Sequence, residues 1–472
     1  MEKSAALGTE PIGKLLAQQA IPAAIGFAVM TLNTVVDTIF VGKFIGKDAI
    51  TAVYIITTVI FFMSSFGMSI GMGGASIVSR ALGEGNKERA LLSFNNQFTL
   101  LAIFIVLFST LGFFFQSQII NLYGAEGNEI TLSKTYFSIV LIGIPFLMTS
   151  MMINNNLRAE GKPRIAMLAL LIPSLLNMVL DYLFIPVWGY GMEGAAWATA
   201  ISFFVTGSFM VGYYLFANTE LIFKPEYFRL KKHIVKEIFS VGSVSLIRQV
   251  AISILVIAMN AMIKIFGGLE AIGSINAKAS YAIVTRISMF MFFPLIGISQ
   301  GFVPIAGYNY GAKKYDRVKE VVNLSLKSSI ITGLILCFIL IGFSSQIPNI
   351  FLASVAENSP SANLDTLAVA DYTPKLIIII FSMTPILAFQ LLGASFYQAL
   401  GKGTPALLLT LSKQLFFLTP LVLILPYFYG LDGIWWSFPI ADTLSGLLCG
   451  YFLFRGVRLM FERAEADPTK SL

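Results

Sequence analysis

Twelve apolar stretches, each long enough to cross a membrane, constrain the fold of this chain more than any other feature of its sequence. A transmembrane helix needs about 20 mostly apolar residues. The predicted spans are 15–41, 51–74, 93–115, 135–156, 165–186, 195–216, 238–265, 275–305, 322–345, 375–398, 405–427 and 433–454. Charged residues make up only 12% of the chain, whereas an average soluble domain carries about 25%. The sequence therefore predicts an all-α integral membrane protein with twelve transmembrane helices.

The basic residues lie mainly on one side of the predicted membrane. If the chain starts in the cytoplasm, 22 Lys and Arg residues lie at cytoplasmic ends and connectors, and five lie on the opposite side. The five are Lys43, Lys47, Lys134, Lys264 and Lys375. Cytoplasmic loops of membrane proteins carry an excess of Lys and Arg. We therefore expect both termini in the cytoplasm, in a bacterial or archaeal plasma or inner membrane. The net charge of +7 then reflects topology rather than a nucleic-acid partner.

Few residues suit catalysis, metal binding or disulfide formation. The single histidine, His233, lies in a charged connector, and the two cysteines, Cys337 and Cys449, lie within apolar stretches. No glycine motif links a strand to a helix in the way that phosphate-binding loops require. We therefore predict that the protein is not an enzyme and has no cofactor. We also expect a monomer in contact with membrane lipid.

The two halves of the chain repeat one plan. The segment GMGGASIVSRALGEGNKERA (71–90) parallels GISQGFVPIAGYNYGAKKYDRV (297–318), and FIGKDAI (44–50) parallels FGGLEAI (266–272). The first pair of segments aligns Gly73 with Gly301, Gly83 with Gly311 and Arg89 with Arg317. Each half has six spans and begins on the same side, so we predict two pseudo-symmetric six-helix bundles. The predicted division is an N-terminal lobe at 1–220, a cytoplasmic linker at 221–237 and a C-terminal lobe with a cytoplasmic tail at 238–472.

Duplicated bundles are typical of transporters, in which substrate and coupling-ion sites lie near mid-membrane. Acidic residues there cost about 2.5–3.5 kcal/mol each on insertion scales and commonly face a cavity or a partner. Three acidic residues lie well inside predicted spans, namely Asp37, Asp181 and Asp442. Asn33 and Asn177 precede the first two by four residues. That spacing places each amide on the same helical face as its carboxylate.

If spans one and five face each other, Asn33, Asp37, Asn177 and Asp181 form one cluster, and Thr199 in span six adds a hydroxyl. Two carboxylates in a poorly solvated pocket disfavour joint ionisation, so the cluster suits the binding of a proton. Its oxygen atoms also suit Na⁺, for which Asp37, Asn177 and Asp181 are the predicted metal ligands. The alternative is that each aspartate only joins helices by hydrogen bonding.

The predicted cation site belongs to the first bundle alone. Met259 and Leu421 occupy the positions of the second half that correspond to Asp37 and Asp181. Pro22 lies about four turns before Asp37 in span one and removes a backbone hydrogen bond there. Pro22 is therefore predicted to act either as a hinge or as a static kink.

The second half carries basic side chains in or near its spans. Arg286, Lys413 and Asp442 form a second predicted polar site, in which Asp442 pairs with either basic residue. Arg248 and Lys278 are consistent with side chains that snorkel to a membrane interface.

Several motifs resemble those of the multidrug and toxic compound extrusion (MATE) family over nearly the whole chain. They are SRALGEGN at the end of span two, NNLRAEGKPR after span four, GMEGAAWAT at span six and PIAGYNYGA after span eight. Asp37 with Asn177, Asp181 and Thr199 resembles the DinF-like branch, whose cation site lies in the N-terminal lobe. The resemblance implies the MATE/MOP fold and an antiporter in which H⁺ or Na⁺ drives export of amphiphilic, often cationic, compounds by alternating access. It also implies that Pro22 marks a bend in span one.

The nearest alternative is a lipid-linked oligosaccharide flippase of the same wider superfamily. Its substrate requires a group that binds phosphate, which Arg248, Arg286 and Lys413 could supply. A basic cavity in the second lobe favours this alternative, and an apolar aromatic cavity favours drug export. A membrane-embedded transferase would require an acid–base set at one interface, which the connectors do not offer. The polar connector at about 346–373 is expected to form a flexible external cap.

Overall fold

The structure is a computed structural model and describes residues 3–125, 127–350 and 365–466. Within these residues, eleven helices are long and apolar enough to cross a membrane, and a bent pair of helices makes a twelfth span. The same residues contain no β-strand. The prediction of an all-α membrane protein with twelve spans is therefore confirmed.

The first six spans extend past the predicted apolar stretches into polar residues. They are α1 (Ile12–Phe44), α2 (Lys47–Gly83), α3 (Lys87–Phe114), α4 (Asn128–Ala159), α5 (Pro163–Val187) and α6 (Gly191–Phe216). A 3₁₀ turn, Lys3–Gly8, precedes α1, and a short helix, Gln116–Leu122, follows α3. The predicted spans are shorter because charged residues such as Arg80 bound the apolar stretches, whereas the backbone continues to satisfy its own hydrogen bonds beyond them.

The second six spans contain the sharper breaks. They are α7 (Lys232–Gly267), α8 (Gly273–Met291 with Phe293–Gly311), α9 (Tyr315–Gly342), α10 (Thr366–Ala399), α11 (Gly403–Ile424) and α12 (Pro426–Ala466). The two parts of α8 are bent by 42°, so the span predicted at 275–305 is present as a bent pair of helices. Pro294 stands at the start of the second part. Its ring lacks an N–H donor and clashes with the carbonyl four residues earlier.

Helix α10 begins at Thr366, before the predicted start at 375. The Asp365 carboxylate caps it by accepting hydrogen bonds from the N–H groups of Leu367 (3.0 Å) and Ala368 (3.1 Å). Such a cap stabilises a helix by about 1 kcal/mol. The predicted connector at 346–373 is therefore wrong in its last part, and its residues 351–364 lie outside the described residues. A 3₁₀ turn, Thr384–Ile386, interrupts α10 further along.

A tight turn connects the last two spans within the predicted connection. Helix α12 begins at Pro426 and is broken at Gly430, which is non-helical with a φ of +60°. Glycine adopts this left-handed conformation without the steric cost that a Cβ brings. The Glu270 carboxylate accepts a hydrogen bond from the Leu431 N–H at 2.8 Å. The turn between α7 and α8 therefore stabilises the break in α12.

Buried apolar side chains form one core in the first half of the chain and two in the second. The start of the chain departs from this division between the halves. Leu7, Ile12, Leu15 and Leu16 are buried in a core with residues of α8, α9 and α10. The first turns of α1 thus pack with the second half, although they precede the first half in sequence. The division at 1–220, 221–237 and 238–472 stays a prediction.

Polar contacts attach the N-terminal segment Lys3–Gly8 to both halves. Ser4 donates hydrogen bonds from its N–H (3.0 Å) and its Oγ (2.6 Å) to the carboxylate of Glu220, which follows α6. On the other side, Asn309 of α8 donates from Nδ2 to the Leu7 carbonyl at 2.9 Å. The segment therefore joins the two lobes at the membrane end where the chain starts, which we call the basic end.

Helices α2 and α8 cross at the basic end through two glycines that the internal repeat aligns. Gly83 lies on the carbonyl of Tyr308, and a Cβ added there would be 2.0 Å from that oxygen. Gly311 lies on the carbonyl of Arg80, and a Cβ there would be 2.1 Å from it. Only glycine permits so close an approach of two backbones.

A second aligned pair of glycines lies at equivalent contacts. Gly73 of α2 lies against the carbonyl of Ile238 in α7, at 2.1 Å from an added Cβ. Gly301 of α8 lies against Gln19 and Ala20 of α1, at 3.0 and 3.1 Å. Because α1 and α7 are repeat partners, as are α2 and α8, the contact of α2 with α7 and the contact of α8 with α1 are equivalent by the internal repeat.

Arginines add ionic contacts to these crossings. Arg80 is almost fully buried, and its Nη2 lies 2.7 Å from the Glu237 carboxylate of α7. Its Nη1 donates to the Ala399 carbonyl at 3.0 Å. Arg89 binds the same Glu237 at 3.0 Å and Glu84 at 3.1 Å. We call Arg80, Glu237 and the four crossing glycines the basic-end closure.

The repeat partner of Arg89 makes the corresponding contact with the start of α1. Arg317 donates from Nη2 to the Glu10 carbonyl at 2.6 Å and from Nε to Asn309 Oδ1 at 3.0 Å. Both arginines therefore bind near the start of the first helix of a half. Arg89 binds the Glu237 side chain in the second turn of α7, and Arg317 binds a backbone carbonyl just before α1.

Replacing Gly83 with alanine should open the basic end. The new Cβ would overlap the Tyr308 carbonyl, and overpacking of this kind costs about 1–3 kcal/mol. Spin labels at the exposed positions Glu88 and Glu320, one in each lobe, should give a longer electron–electron distance in the variant. Gly342→Ala is the matched control, because its Cβ would meet nothing within 4 Å. An unchanged distance in Gly83→Ala would contradict the crossing.

Candidate functional site

Helices α1 and α5 pack side by side and bring Asp37 and Asp181 together. The two carboxyls lie close enough to interact with each other. Asp181 is 0% exposed, and Oδ1 of Asp37 is also buried. Two negative charges repel strongly where water is scarce. The arrangement therefore favours a state in which a proton or another cation accompanies the pair.

Neutral hydrogen-bonding groups surround the carboxylates. The Asn177 amide donates from Nδ2 to Asp181 Oδ1 and to Thr199 Oγ1, each at 3.4 Å. The Thr199 hydroxyl also lies 3.1 Å from the Tyr136 hydroxyl and donates to the Ala195 carbonyl at 3.1 Å. The four-residue spacing on α5 makes the first contact possible. Thr199 thus connects α4, α5 and α6 at the site.

Three oxygen atoms of the cluster are buried and have no hydrogen-bond partner in the described residues. They are Asn33 Oδ1, Asp37 Oδ1 and Asp181 Oδ2. Buried polar atoms in proteins are nearly always paired with protein or water, so these atoms have unused capacity to accept a proton or to bind a cation. Oxygen donors of this kind fit a hard cation. The described residues contain no group of three or more His, Cys, Asp or Glu side chains that could hold a metal ion.

The local sequence explains how Thr199 comes to face Asn177. Helix α5 ends in a π-helical turn, Leu183–Val187, which contains Pro186. Such turns often occur at functional sites. Gly189 and Gly191 follow with φ values of +70° and +54°, which L-residues with a Cβ rarely adopt. These residues reverse the chain within a few positions, so that α6 returns beside α5.

Pro22 lies inside α1 between contacts with two different helices. Before it, Ala20 packs on Gly297 of α8, where an added Cβ would be 2.6 Å from the Ala20 carbonyl. After it, Gly26 packs on Leu170 of α5, at 2.8 Å from an added Cβ. Helix α1 is continuous through the proline. The role of Pro22 as a hinge stays a prediction.

The second lobe contains one buried ion pair. Lys413 Nζ lies 2.6 Å from Asp442 Oδ1, and Asp442 is 2% exposed. Lys413 lies in a π-helical turn of α11, Ser412–Leu418. Of the two pairings that the sequence left open, the structure contains this one, and Arg286 lies on α8 outside the pair. Whether these three residues form a functional site stays a prediction.

Three polar residues of these contacts were not predicted from the sequence. Tyr136 lies in an apolar stretch of α4, and neither its spacing nor a charge distinguishes it from packing residues. Arg80 and Glu237 have the appearance of solvated helix ends. The ion pair between Arg80 and Glu237 depends on the packing of α2 against α7, which the sequence alone does not predict.

Two repeated six-helix halves, a pair of carboxyls buried in one lobe and a closure at one membrane end define a secondary transporter. The MatE family model matches residues 22–183 and 244–423, and so covers both halves. The chain belongs to the MATE family of membrane transporters and is not an enzyme.

Known relatives match almost the whole chain. The multidrug export protein MepA of Staphylococcus saprophyticus is 25% identical over 452 residues, which are 94% of each chain. The probable multidrug resistance protein YoeA of Bacillus subtilis is 24% identical over 449 residues, 92% of each chain. A solved outward-facing MATE transporter of the MOP superfamily aligns with a TM-score of 0.87 at 23% identity, over 97% of this chain and 98% of that one. This likeness supports the fold, and membership of the DinF-like branch stays a prediction.

Replacing Thr199 with valine should destabilise the first lobe. The substitution leaves the Tyr136 hydroxyl and the Asn177 amide without a shared partner, and an unpaired buried polar group costs about 1–3 kcal/mol. Thermal unfolding of the purified protein measures this loss. Thr199→Ser keeps the hydroxyl and should remain close to the wild type. Equal stability of the valine variant and the wild type would contradict these hydrogen bonds.

Proposed function

We propose that the protein is a cation-coupled antiporter that exports amphiphilic, often cationic, compounds, with H⁺, Na⁺ or both as coupling ion. Asp37 and Asp181 hold the ion, and Asn33, Asn177 and Thr199 complete its oxygen environment. The substrate binds between the lobes. The names of the two relatives, a multidrug export protein and a probable multidrug resistance protein, support multidrug export.

The contact between the carboxyls of Asp37 and Asp181 carries this proposal. An ion drives transport only if its affinity differs between the two conformations of the carrier. The two aspartates lie on different helices, so a change in the position of α1 relative to α5 alters their separation and the affinity of the pair for a cation. A membrane potential adds about 2.3 kcal/mol per charge per 100 mV.

The basic-end closure supports alternating access. With both termini in the cytoplasm, as the distribution of basic residues predicts, the closed end is cytoplasmic and the space between the lobes opens outward. A change to a conformation that is open to the cytoplasm then requires the helices at the glycine crossings, and the Arg80–Glu237 pair, to separate. Helix α1 carries Asp37 and also packs on α8, so ion binding and lobe movement share one helix.

Asp37→Asn and Asp181→Asn should each abolish ion-driven export. Neither amide can carry the charge that retains a cation. In proteoliposomes, ethidium export under separately imposed proton and sodium gradients should fall at least about tenfold, equal to about 1.4 kcal/mol. The gradient that drives the wild type identifies the coupling ion.

Asp48→Asn is the matched control for these variants, because Asp48 is an exposed carboxylate at the start of α2. It should export ethidium at the wild-type rate. Full ion-driven export by Asp37→Asn would remove Asp37 from the mechanism.

Export of a lipid-linked oligosaccharide is the second candidate function. It requires a cation in the second lobe that is free to bind phosphate. Asp442 already neutralises Lys413, and Arg286 has an interaction of its own within the protein, which leaves Arg248 as the candidate. Transport of cationic dyes without movement of a fluorescent lipid-linked oligosaccharide would contradict this second function.

A further inference from the structure

Arg248 is a cation in the middle of a membrane-spanning helix. It lies midway along α7 (Lys232–Gly267), about 24 Å from one end and about 28 Å from the other at a rise of 1.5 Å per residue. One side chain does not reach either end of the helix from this position, and the interpretation of Arg248 as a snorkelling residue stays a prediction. Charged residues at this depth face a cavity or a partner.

Arg248 lies on the side of α7 that meets the other lobe. Ser245 donates a hydrogen bond to Met72 Sδ of α2 at 3.2 Å, and Gly242 lies against the Ser69 carbonyl. Arg248 lies three residues after Ser245, and residues three apart lie on the same side of a helix. Arg248 is therefore one turn farther from the basic end than this contact. Its side chain is partly exposed. Arg248 therefore borders the space between the lobes just beyond the closure.

Nothing in the described part of the chain neutralises Arg248. Among the contacts of the described residues, no ion pair joins the Arg248 guanidinium to a carboxylate. Glu237, on the same helix, binds Arg80 at the basic end. Asp442 binds Lys413. These two carboxylates are thus already paired with other cations.

Lys413 lies at nearly the same depth as Arg248. Helices α7 and α11 both run from the basic end and touch where Gly403 lies against the Ser240 carbonyl. Arg248 follows Ser240 by eight residues, and Lys413 follows Gly403 by ten. The difference is about 3 Å at 1.5 Å per residue. The π-helical turn that carries Lys413 also packs on α7. With Asp442, this level of the second lobe holds two positive charges and one negative charge.

An apolar surface lies opposite Arg248. Phe62 of α2 precedes Ser69 by seven residues, and Arg248 follows Gly242 by six. Because α2 and α7 run in opposite directions and touch at Ser69 and Gly242, these two side chains lie at a similar depth. Phe62 is 47% exposed and packs edge-on against Phe66. An apolar ring and a cation thus lie at a similar depth on two helices, α2 and α7, that touch across the lobes.

We propose that Arg248 binds the anionic group of an amphiphilic substrate, a carboxylate, sulfonate or phosphate, while the apolar part lies toward Phe62. The proposal rests on the transport function above and extends its substrate class to anionic and zwitterionic amphiphiles. A guanidinium offers five N–H donors in a planar fork that matches such groups. Charge-assisted hydrogen bonds of this kind are about twice as strong as neutral ones.

Two fluorescent probes with one aromatic body separate the charge from the apolar contact. The anionic probe is 8-anilino-1-naphthalenesulfonate, and the neutral probe is N-phenyl-1-naphthylamine, which lacks the sulfonate. Both are titrated into the full-length protein in phosphatidylcholine nanodiscs, with empty nanodiscs as the blank. The ratio of the two affinities should shift against the sulfonate by about tenfold or more in Arg248→Gln. Arg248→Lys keeps the charge and should recover most of the ratio.

Lys278→Gln is the matched control, since it removes a positive charge near the outer start of α8 in the same lobe. Its affinity ratio should equal that of the wild type. An unchanged ratio in Arg248→Gln, or an equal loss in Lys278→Gln, would overturn the proposal. The measurement needs no ion gradient, so it is independent of the outcome for Asp37.

Competition identifies the source of the anionic group. Displacement of the sulfonate probe by short-chain phosphatidylglycerol, and not by phosphatidylcholine with the same chains, assigns the site to lipid headgroups. Displacement by soluble aromatic carboxylates alone assigns it to soluble amphiphiles. Displacement by phosphatidylcholine as effectively as by phosphatidylglycerol would show that charge is not recognised, and would overturn the proposal.

Discussion

Asp37 and Asp181 meet where α1 touches α5, and one oxygen of each carboxyl is buried with no hydrogen-bond partner among the described residues. Two full charges 4 Å apart repel by about 4 kcal/mol at the effective dielectric constant of a protein site. Asn177 and Thr199 supply neutral dipoles that lower this repulsion but do not cancel it. The remaining repulsion is relieved when a proton or another cation binds. Because one carboxyl lies on α1 and the other on α5, the strength of this repulsion depends on how the two helices are positioned.

The internal repeat is kept where the lobes touch and lost at the buried carboxylates. Gly83 and Gly311 lie on each other's helices at the crossing of α2 and α8, Arg89 binds Glu237 near the start of α7, and Arg317 binds the Glu10 carbonyl just before α1. A symmetric closure lets two lobes separate and meet again without a unique hinge between them. The membrane interior has no such symmetry, because Asp37 corresponds to Met259 in the second half. The two lobes thus share their contacts and differ in their chemistry.

Local patterns in the sequence predict some of these features correctly and miss others. The twelve spans follow from apolar length, and Asn177 beside Asp181 follows from helical periodicity. The bend in α8 was missed although Pro294 was visible, because a proline in a membrane helix kinks some helices and leaves others, such as α1 at Pro22, continuous. Tyr136, Arg80 and the choice of Lys413 for Asp442 depend on which helices become neighbours. That information lies in tertiary packing, which one sequence does not contain.

Helix α1 is shared between the lobes. Its first turns are buried with α8 and α9, whereas Gly26 and the residues beyond it lie against α5. If Pro22 acts as the predicted hinge, α1 is a lever held at one end by the second lobe and along its length by the first. The arm from Pro22 to Asp37 is about 22 Å long at 1.5 Å per residue, so a kink of about 20° would move Asp37 by about 8 Å. Such a stroke would exceed the gap between two neighbouring carboxyls, and a small rotation of the lobes would then be enough to separate Asp37 from Asp181.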